Sequence, residues 1–144
     1  MIKPTLNLVL LFVLILQIIA CTDTHPTIDK NGRENFLSFY EKFGTDSLFQ
    51  MRRIEFPMIG TNPNGSDERF FWTEENWVLQ RKIDENNEDI QIQPILDMGD
   101  LVRVRLVIQQ KFMVENLYSL INDKWFLTEY SGLHDIEYFK KGKK

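Results

Sequence analysis

The stretch Lys111–Ser131, KFMVENLYSLINDKWFLTEYS, decides the fold. Two apolar-rich runs, Phe112 to Ile121 and Lys124 to Ser131, flank the pair Asn122-Asp123. Such a pair between strand-like runs signals a two-residue β-hairpin turn. The turn sets the register. Leu120 falls opposite Trp125, Tyr118 opposite Leu127 and Asn116 opposite Glu129, on one largely apolar face. Ser119 with Phe126, Leu117 with Thr128 and Glu115 with Tyr130 form the other, mixed face.

Upstream, Val102, Val104, Leu106 and Ile108 alternate with Arg103, Arg105, Val107 and Gln109, as a half-buried strand does. Asp97-Met98-Gly99-Asp100 is the turn before it. Ile90 and Ile92 alternate with Gln91 and Gln93, and Pro94 weakens that strand. Asp84 to Asp89 is a charged turn.

Nearer the start the period changes to helical. Phe36, Phe39, Tyr40 and Phe43 share one face of a helix predicted over Asn31 to Phe43, with Leu37 at the margin. Asn31 with Glu34 predicts a capping box, and Gly44 the stop. Asp46 or Ser47 caps a second, short helix through Leu48, Phe49 and Met51. Arg53 to Met58 alternates, with Ile54, Phe56 and Met58 on one side; Pro57 assigns it to an edge or a strand end. Gly60 to Asp67 is a loop by composition. Phe70-Phe71-Trp72 returns to the core, and Thr73 caps a turn ending near Trp77. Helices followed by a run of strands predict an α+β domain, its N-terminal helices packed on one side of a curved antiparallel sheet.

The first twenty residues belong to a different kind of segment. Lys3 puts a positive charge at the amino end, and Leu6 to Ile19 is apolar except for Asn7 and Gln17. A membrane span needs ~20 mostly apolar residues, more than this run supplies. Ile18-Ile19-Ala20-Cys21 closes it in the order of a bacterial lipoprotein signal, so 1–20 reads as a signal peptide and Cys21 as the lipidated residue. Each buried methylene adds ~0.8 kcal/mol of membrane affinity, which makes several acyl chains a nearly permanent anchor. Residues 21–32 form a polar tether containing His25 and Pro26, 33–139 the single domain, and 140–144 a basic tail. Cys21 is the one cysteine of the 144 residues, which leaves the mature domain without disulfides or cysteine-based sites.

Eleven Phe and three Trp suffice for a substantial core. The net charge of −4 argues against nucleic acid, which calls for clustered positive charge. Lys140, Lys141, Lys143 and Lys144 read as a solvated tail, or as a contact with anionic headgroups near the anchor.

Phe36-Leu37-Ser38-Phe39-Tyr40-Glu41-Lys42-Phe43, then Phe49-Gln50, Arg53-Ile54, Phe56-Pro57, Trp72-Thr73 and Trp77, resembles an uncharacterised family of Bacteroidetes lipoproteins, a domain of unknown function. That family is similar in fold to nuclear transport factor 2: a cone in which helices pack against a strongly bent antiparallel sheet and enclose a pocket. The resemblance implies a fold and an envelope address, and no reaction. Proteins of that wider fold include isomerases, dehydratases and binding modules.

No metal-ligand spacing, Gly-rich phosphate loop or nucleophile motif is present, and no cofactor is expected. The titratable candidates for acid–base work are Asp97, Asp100, Glu115, His134, Tyr40, Tyr118 and Tyr130. Each has a simpler reading: Asp97 and Asp100 on a solvated turn, His134 on the surface, Tyr40 and Tyr118 in the core, Glu115 and Tyr130 as cross-strand neighbours. Arg103 and Arg105 point the same way from one strand. Turned inward they would converge on an anion. Because Val102, Val104, Leu106 and Ile108 already supply the buried face, the pair is placed outward, as ordinary or paired surface charge.

Three readings follow. The favoured one is a non-catalytic, lipid-anchored envelope module. It would bind a small ligand in a pocket lined by Phe36, Tyr40, Trp72, Trp77, Tyr118 and Trp125, or, if that space is filled, a partner protein at an exposed apolar patch. The second is a small acid–base enzyme of the isomerase or dehydratase type. The third is a homodimeric assembly protein using the open sheet face.

Overall fold

The computed structural model describes residues 25–61, 69–84, 86–93 and 95–136. The expected signal peptide, Cys21, residues 62–67 of the expected loop, Pro94 and the basic tail lie outside the described residues. Among the described residues two helices, α1 (Phe36–Thr45) and α2 (Ser47–Met51), precede seven strands. These are β1 (Ile54–Thr61), β2 (Arg69–Trp72), β3 (Ile90–Ile92), β4 (Leu96–Asp97), β5 (Leu101–Ile108), β6 (Phe112–Ile121) and β7 (Lys124–Asp135). They form one sheet in the order β2-β1-β7-β6-β5-β3, with β4 also on β5. The domain is α+β, with its helices at the N-terminal side of a curved sheet. Among the described residues no helix is long and apolar enough to cross a membrane.

Asn122 and Asp123 both have positive φ, 48° and 62°, and make the tight β6–β7 turn. Next to it the expected pairs hold: Leu120 with Trp125, Ser119 with Phe126 and Tyr118 with Leu127. Beyond Leu127 the ladder shifts by one residue. Thr128 is the extra one: its Oγ1 lies 2.8 Å from Ser119 Oγ and donates to the Leu117 carbonyl at 3.3 Å. Leu117 therefore faces Glu129, Asn116 faces Tyr130, and Glu115 faces Ser131 rather than Tyr130. The bulge carries Tyr130 to the inner face.

The sheet is mixed, not purely antiparallel, because β1 runs parallel to β7. Nor is β1 an edge: it lies between β2 and β7. Pro57 is accommodated where the β1–β7 register shifts, between Ile54 and Ile59, so its missing N–H interrupts no regular ladder there.

The first helix starts at Phe36, five residues later than expected. Asn35 caps it, accepting a hydrogen bond from Ser38 N at 3.0 Å. Residues 28–34 instead make a turn closed by an Ile28–Glu34 bridge, which points Glu34 inward. The helix also runs through Gly44 to Thr45. Gly44 serves close approach rather than termination: its carbonyl accepts from Lys82 N at 2.9 Å, and a Cβ there would lie 3.0 Å from that nitrogen. Asp46 then caps α2 through Phe49 N at 2.9 Å.

Phe39, Phe43 and Phe49 from the helices pack on Val102, Val104, Tyr118, Trp125 and Leu127. Fully burying a side chain of this size contributes roughly 1.5–3 kcal/mol. At the far end of β5 the expected alternation fails. Leu106 and Ile108 are half-buried, whereas Val107 is buried on the outer face beside its cross-strand neighbour Met113, which in turn faces His134. A small second cluster on that face explains the exchange.

Glu34 and Arg53 lock this arrangement. Arg53 Nη2 donates to Glu34 Oε1 at 2.8 Å and Nη1 to Oε2 at 3.1 Å. Trp125 N donates to Glu34 Oε2 at 2.8 Å, and Trp125 Nε1 to the Glu34 carbonyl at 2.7 Å. The guanidinium lies over Phe49 and Phe126, 4.8 and 5.3 Å from their ring centres. One carboxylate thus joins the turn before α1, the start of β1 and the β6–β7 hairpin.

Gly60 underlies the Trp72 indole. A Cβ there would overlap the indole and sit 2.5 Å from the Tyr130 carbonyl oxygen. Urea unfolding of Gly60→Ala is expected to show a loss of about 1–3 kcal/mol or more. Gly99→Ala, at φ 87° but with open space around it, should lose about 1 kcal/mol from backbone conformation alone.

Candidate functional site

The six aromatic side chains expected to line a pocket pack against one another and their neighbours in two groups. Phe36 meets Tyr118 at 5.4 Å and Trp125 at 5.2 Å, edge to face, and stacks on Tyr40 at 5.7 Å. Trp72 and Trp77 meet at 5.7 Å and both touch Tyr130 at 5.1 Å. These edge-to-face contacts are how aromatic rings fill a core. Among the cavities described there, Tyr40 borders a space of only about 70 Å³, shared with Phe43, Gly44, Gln80, Lys82 and Ile92. That volume holds a few waters; pockets for small organic ligands run to ~300–1,000 Å³.

Among the described residues the one buried carboxylate, that of Glu34, is taken up by Arg53 and Trp125, and the polar groups between the two aromatic groups are amides. Gln50, almost fully buried, donates through Nε2 to the Phe43 carbonyl at 2.6 Å and the Gln80 carbonyl at 2.8 Å. Its Oε1 accepts from Gln80 N at 2.8 Å and Trp77 Nε1 at 3.2 Å. Asn116 donates to Gln80 Oε1 at 2.9 Å and to the Tyr118 hydroxyl at 3.0 Å. Amides suit this role because they donate and accept without carrying charge into the core. Burial raises the pKa of Tyr118 well above its ordinary value, helped by nearby Tyr40 and opposed by the Asn116 hydrogen bond. Burial likewise raises Tyr40 and Tyr130.

The remaining acid–base candidates lie outside this interior. Asp100 is exposed and paired with Arg33. Asp97 ends β4 and accepts from Gly99 N at 2.8 Å. Glu115 is on the outer sheet face, 2.6 Å from Arg105 Nη2 and 3.4 Å from Arg103 Nε. The two arginines therefore bracket one carboxylate on that face and do not converge within the fold. His134 is buried, not on the surface: it lies beside Thr61 Oγ1, which is 3.1 Å from Ser131 Oγ, and burial lowers its pKa.

Wider concavities lie on the outside. A groove of about 480 Å³ runs between the start of α1 and β4. Half-buried Phe36 lies at its base over the buried Val102 and Trp125, exposed Leu37 and Ile95 are at its rims, and Asp29 and Asp97 line it as well. Sequence reasoning placed Phe36 and Trp125 together but missed the groove, because Ile95 reaches it through pairing of β4 with β5. It gave Gln50 no structural role, although Phe49-Gln50 is one of the pairs that carry the resemblance and the amide stands within the otherwise apolar Leu48-Phe49-Gln50-Met51.

A protein-family model matches residues 34–140. No curated protein matches the chain. Among solved structures, an NTF2-like protein from Bacteroides fragilis is similar at 19% identity and a TM-score of 0.49, over 76% of this chain and 50% of that one. The chain thus spans about half of that protein's length. An NTF2-like protein of unknown function from Shewanella baltica is similar at 16% identity and a TM-score of 0.40, over 68% of this chain and 87% of that one.

Two outcomes test the interior. Gln50→Leu removes the partner of the Trp77 indole N–H and the Gln80 amide, and should lower stability by about 2–5 kcal/mol in urea unfolding. The buried tyrosines have raised folded-state pKa values, so their contribution is complete below the ordinary value of 10.0 and falls as pH rises through and beyond it. Unfolding free energy should decline above about pH 10, with phenolate absorbance from these residues appearing together with unfolding.

Proposed function

The chain belongs to the family whose model matches residues 34–140, and from that premise we propose a cell-envelope protein, anchored by lipid on Cys21, that binds a partner protein. The observation that carries this reading is the filled interior. Aromatic rings and a satisfied amide network occupy the space a small ligand would need. Beside α1, Leu37 and Ile95 leave apolar surface on the outside instead. The order of Lys3, the apolar run and Ile18-Ile19-Ala20-Cys21 supports the anchor. An anchored module of this kind needs no catalytic group; its work is to hold another protein near the membrane. The acids and histidine that an isomerase-type reaction would draw on sit on turns and on the outer face.

Fractionation of cells expressing the full chain tests the anchor. The native protein should sediment with membranes and carry acyl mass on Cys21, while Cys21→Ser should appear in the soluble fraction with its leader uncleaved or aberrantly cleaved. Membrane retention of the serine variant would count against lipid anchoring. Purification of the native lipidated protein from its own envelope tests the binding role. A co-purifying protein at near-equal amount is expected; a tightly held small molecule and no protein would contradict it.

A further inference from the structure

The chain is fixed to the domain from Thr27 onward. Thr27 N donates to Ser38 Oγ at 2.9 Å, and the Thr27 carbonyl accepts from Asn35 N at 2.7 Å. Asp29 N donates to the Arg33 carbonyl at 2.7 Å beside the Ile28–Glu34 bridge. Residues 22–26 alone separate Thr27 from Cys21. Even fully extended, the chain from Cys21 to Thr27 spans at most ~22 Å.

Thr27 lies at one end of the molecule. Glu34 N donates to the Asp123 carbonyl at 2.9 Å, so the 28–34 turn abuts the tip of the β6–β7 hairpin. From that tip β6 runs ten residues to the turn at 109–111, a length of ~30 Å. A tether shorter than this strand keeps the domain from turning over and bringing its other end to the bilayer.

The tethered end carries apolar surface. Ile28 is 61% and Ile121 37% exposed, and Lys30 and Lys124 are exposed near them. Segments 27–35 and 121–124 together hold three acids and three bases. Of these, Arg33 is bonded to Asp100 and Glu34 to Arg53. Such a balanced end suits a zwitterionic headgroup layer and has no need of anionic lipid. Lysine stems can lie along apolar surface while their ammonium groups stay among the phosphates. The contact also needs little affinity of its own, because a short link gives an effective concentration of ~mM.

We propose that the 28–34 turn and the hairpin tip form a membrane-contact end. It seats Ile28 and Ile121 at the headgroup–acyl boundary of the bilayer that holds the anchor, sets Lys30 and Lys124 at the phosphates, and points the turn at 109–111 away. The assignment rests on the lipid-anchor reading and adds an orientation to it.

The test places the native lipidated protein in phosphatidylcholine vesicles containing a headgroup-quencher lipid. A fluorophore is attached at Asn31→Cys or at Lys111→Cys. Quenching at 31 should exceed quenching at 111 several-fold. Ile28→Ser with Ile121→Ser should remove most of that difference, while membrane retention and the urea unfolding midpoint stay unchanged. Ile28→Trp should widen it. Added phosphatidylglycerol or salt should alter it little. Equal quenching at the two positions, in protein that stays on the vesicles, would overturn the orientation and leave the anchor standing. So would quenching at 31 that requires phosphatidylglycerol and is lost when residues 140–144 are removed, because the basic tail would then make the contact. Protein that carries no acyl mass and washes off the vesicles would sink the anchor reading and the orientation with it.

Discussion

The structure depends on one buried ion pair. Glu34 and Arg53 meet with two hydrogen bonds, their side chains only 3% and 13% exposed. An isolated charge in such a place would be costly; a bidentate pair whose remaining capacity is also used is tolerated. Here that capacity goes to Trp125, whose backbone N–H donates to the Glu34 carboxylate and whose carbonyl accepts from Arg53 Nη1, while its indole N–H donates to the Glu34 main-chain carbonyl. Arginine suits the site better than lysine, since its flat guanidinium lies on Phe49 and Phe126 while its edge bonds the carboxylate. The pair sets where α1 begins, where β1 begins and how the β6–β7 hairpin is held against the helices.

That junction also shapes the outer surface. With Glu34 drawn inward, Asn35 becomes the cap and Phe36 the first helical residue, laid edge-on against Trp125. The same geometry leaves Leu37 at the rim and opens the groove toward β4. Among the described residues the interior is packed: Gln50, Gln80 and Asn116 satisfy one another between two aromatic groups, and the space beside Tyr40 is only about 70 Å³. A filled core and a grooved exterior are two results of one packing solution, and they direct function toward association with another chain.

Much of this was readable from residue order. The Asn122-Asp123 turn, the pairs nearest it, the Asp46 cap and the burial of Phe39, Phe43, Val102 and Val104 all follow from local rules. What escaped is long-range. The parallel β1–β7 pairing joins strands some seventy residues apart and leaves no local pattern. The bulge at Thr128 depends on hydroxyl contacts across the hairpin and moves the pairs from Leu117 to Glu115 by one, and a second irregularity moves Met113 and Phe112 by one more. Glu34 looked like a helix-capping residue because Asn31 stands three before it, yet its partner is nineteen residues away. His134 looked exposed beside Gly132, but β7 continues past it and buries it near Thr61. Gln50 and Arg53 had drawn notice as parts of short motifs; the structure gives each a physical task, one inside the amide network and one at the ion pair.

The most direct test of the account is the coupling between Glu34 and Arg53 in urea unfolding. Glu34→Gln and Arg53→Met each leave a buried charge without its counterion and should each cost about 3–5 kcal/mol, while the double variant should cost much less than their sum. Single losses below about 1 kcal/mol that add without coupling would contradict the claim that this pair holds the fold together.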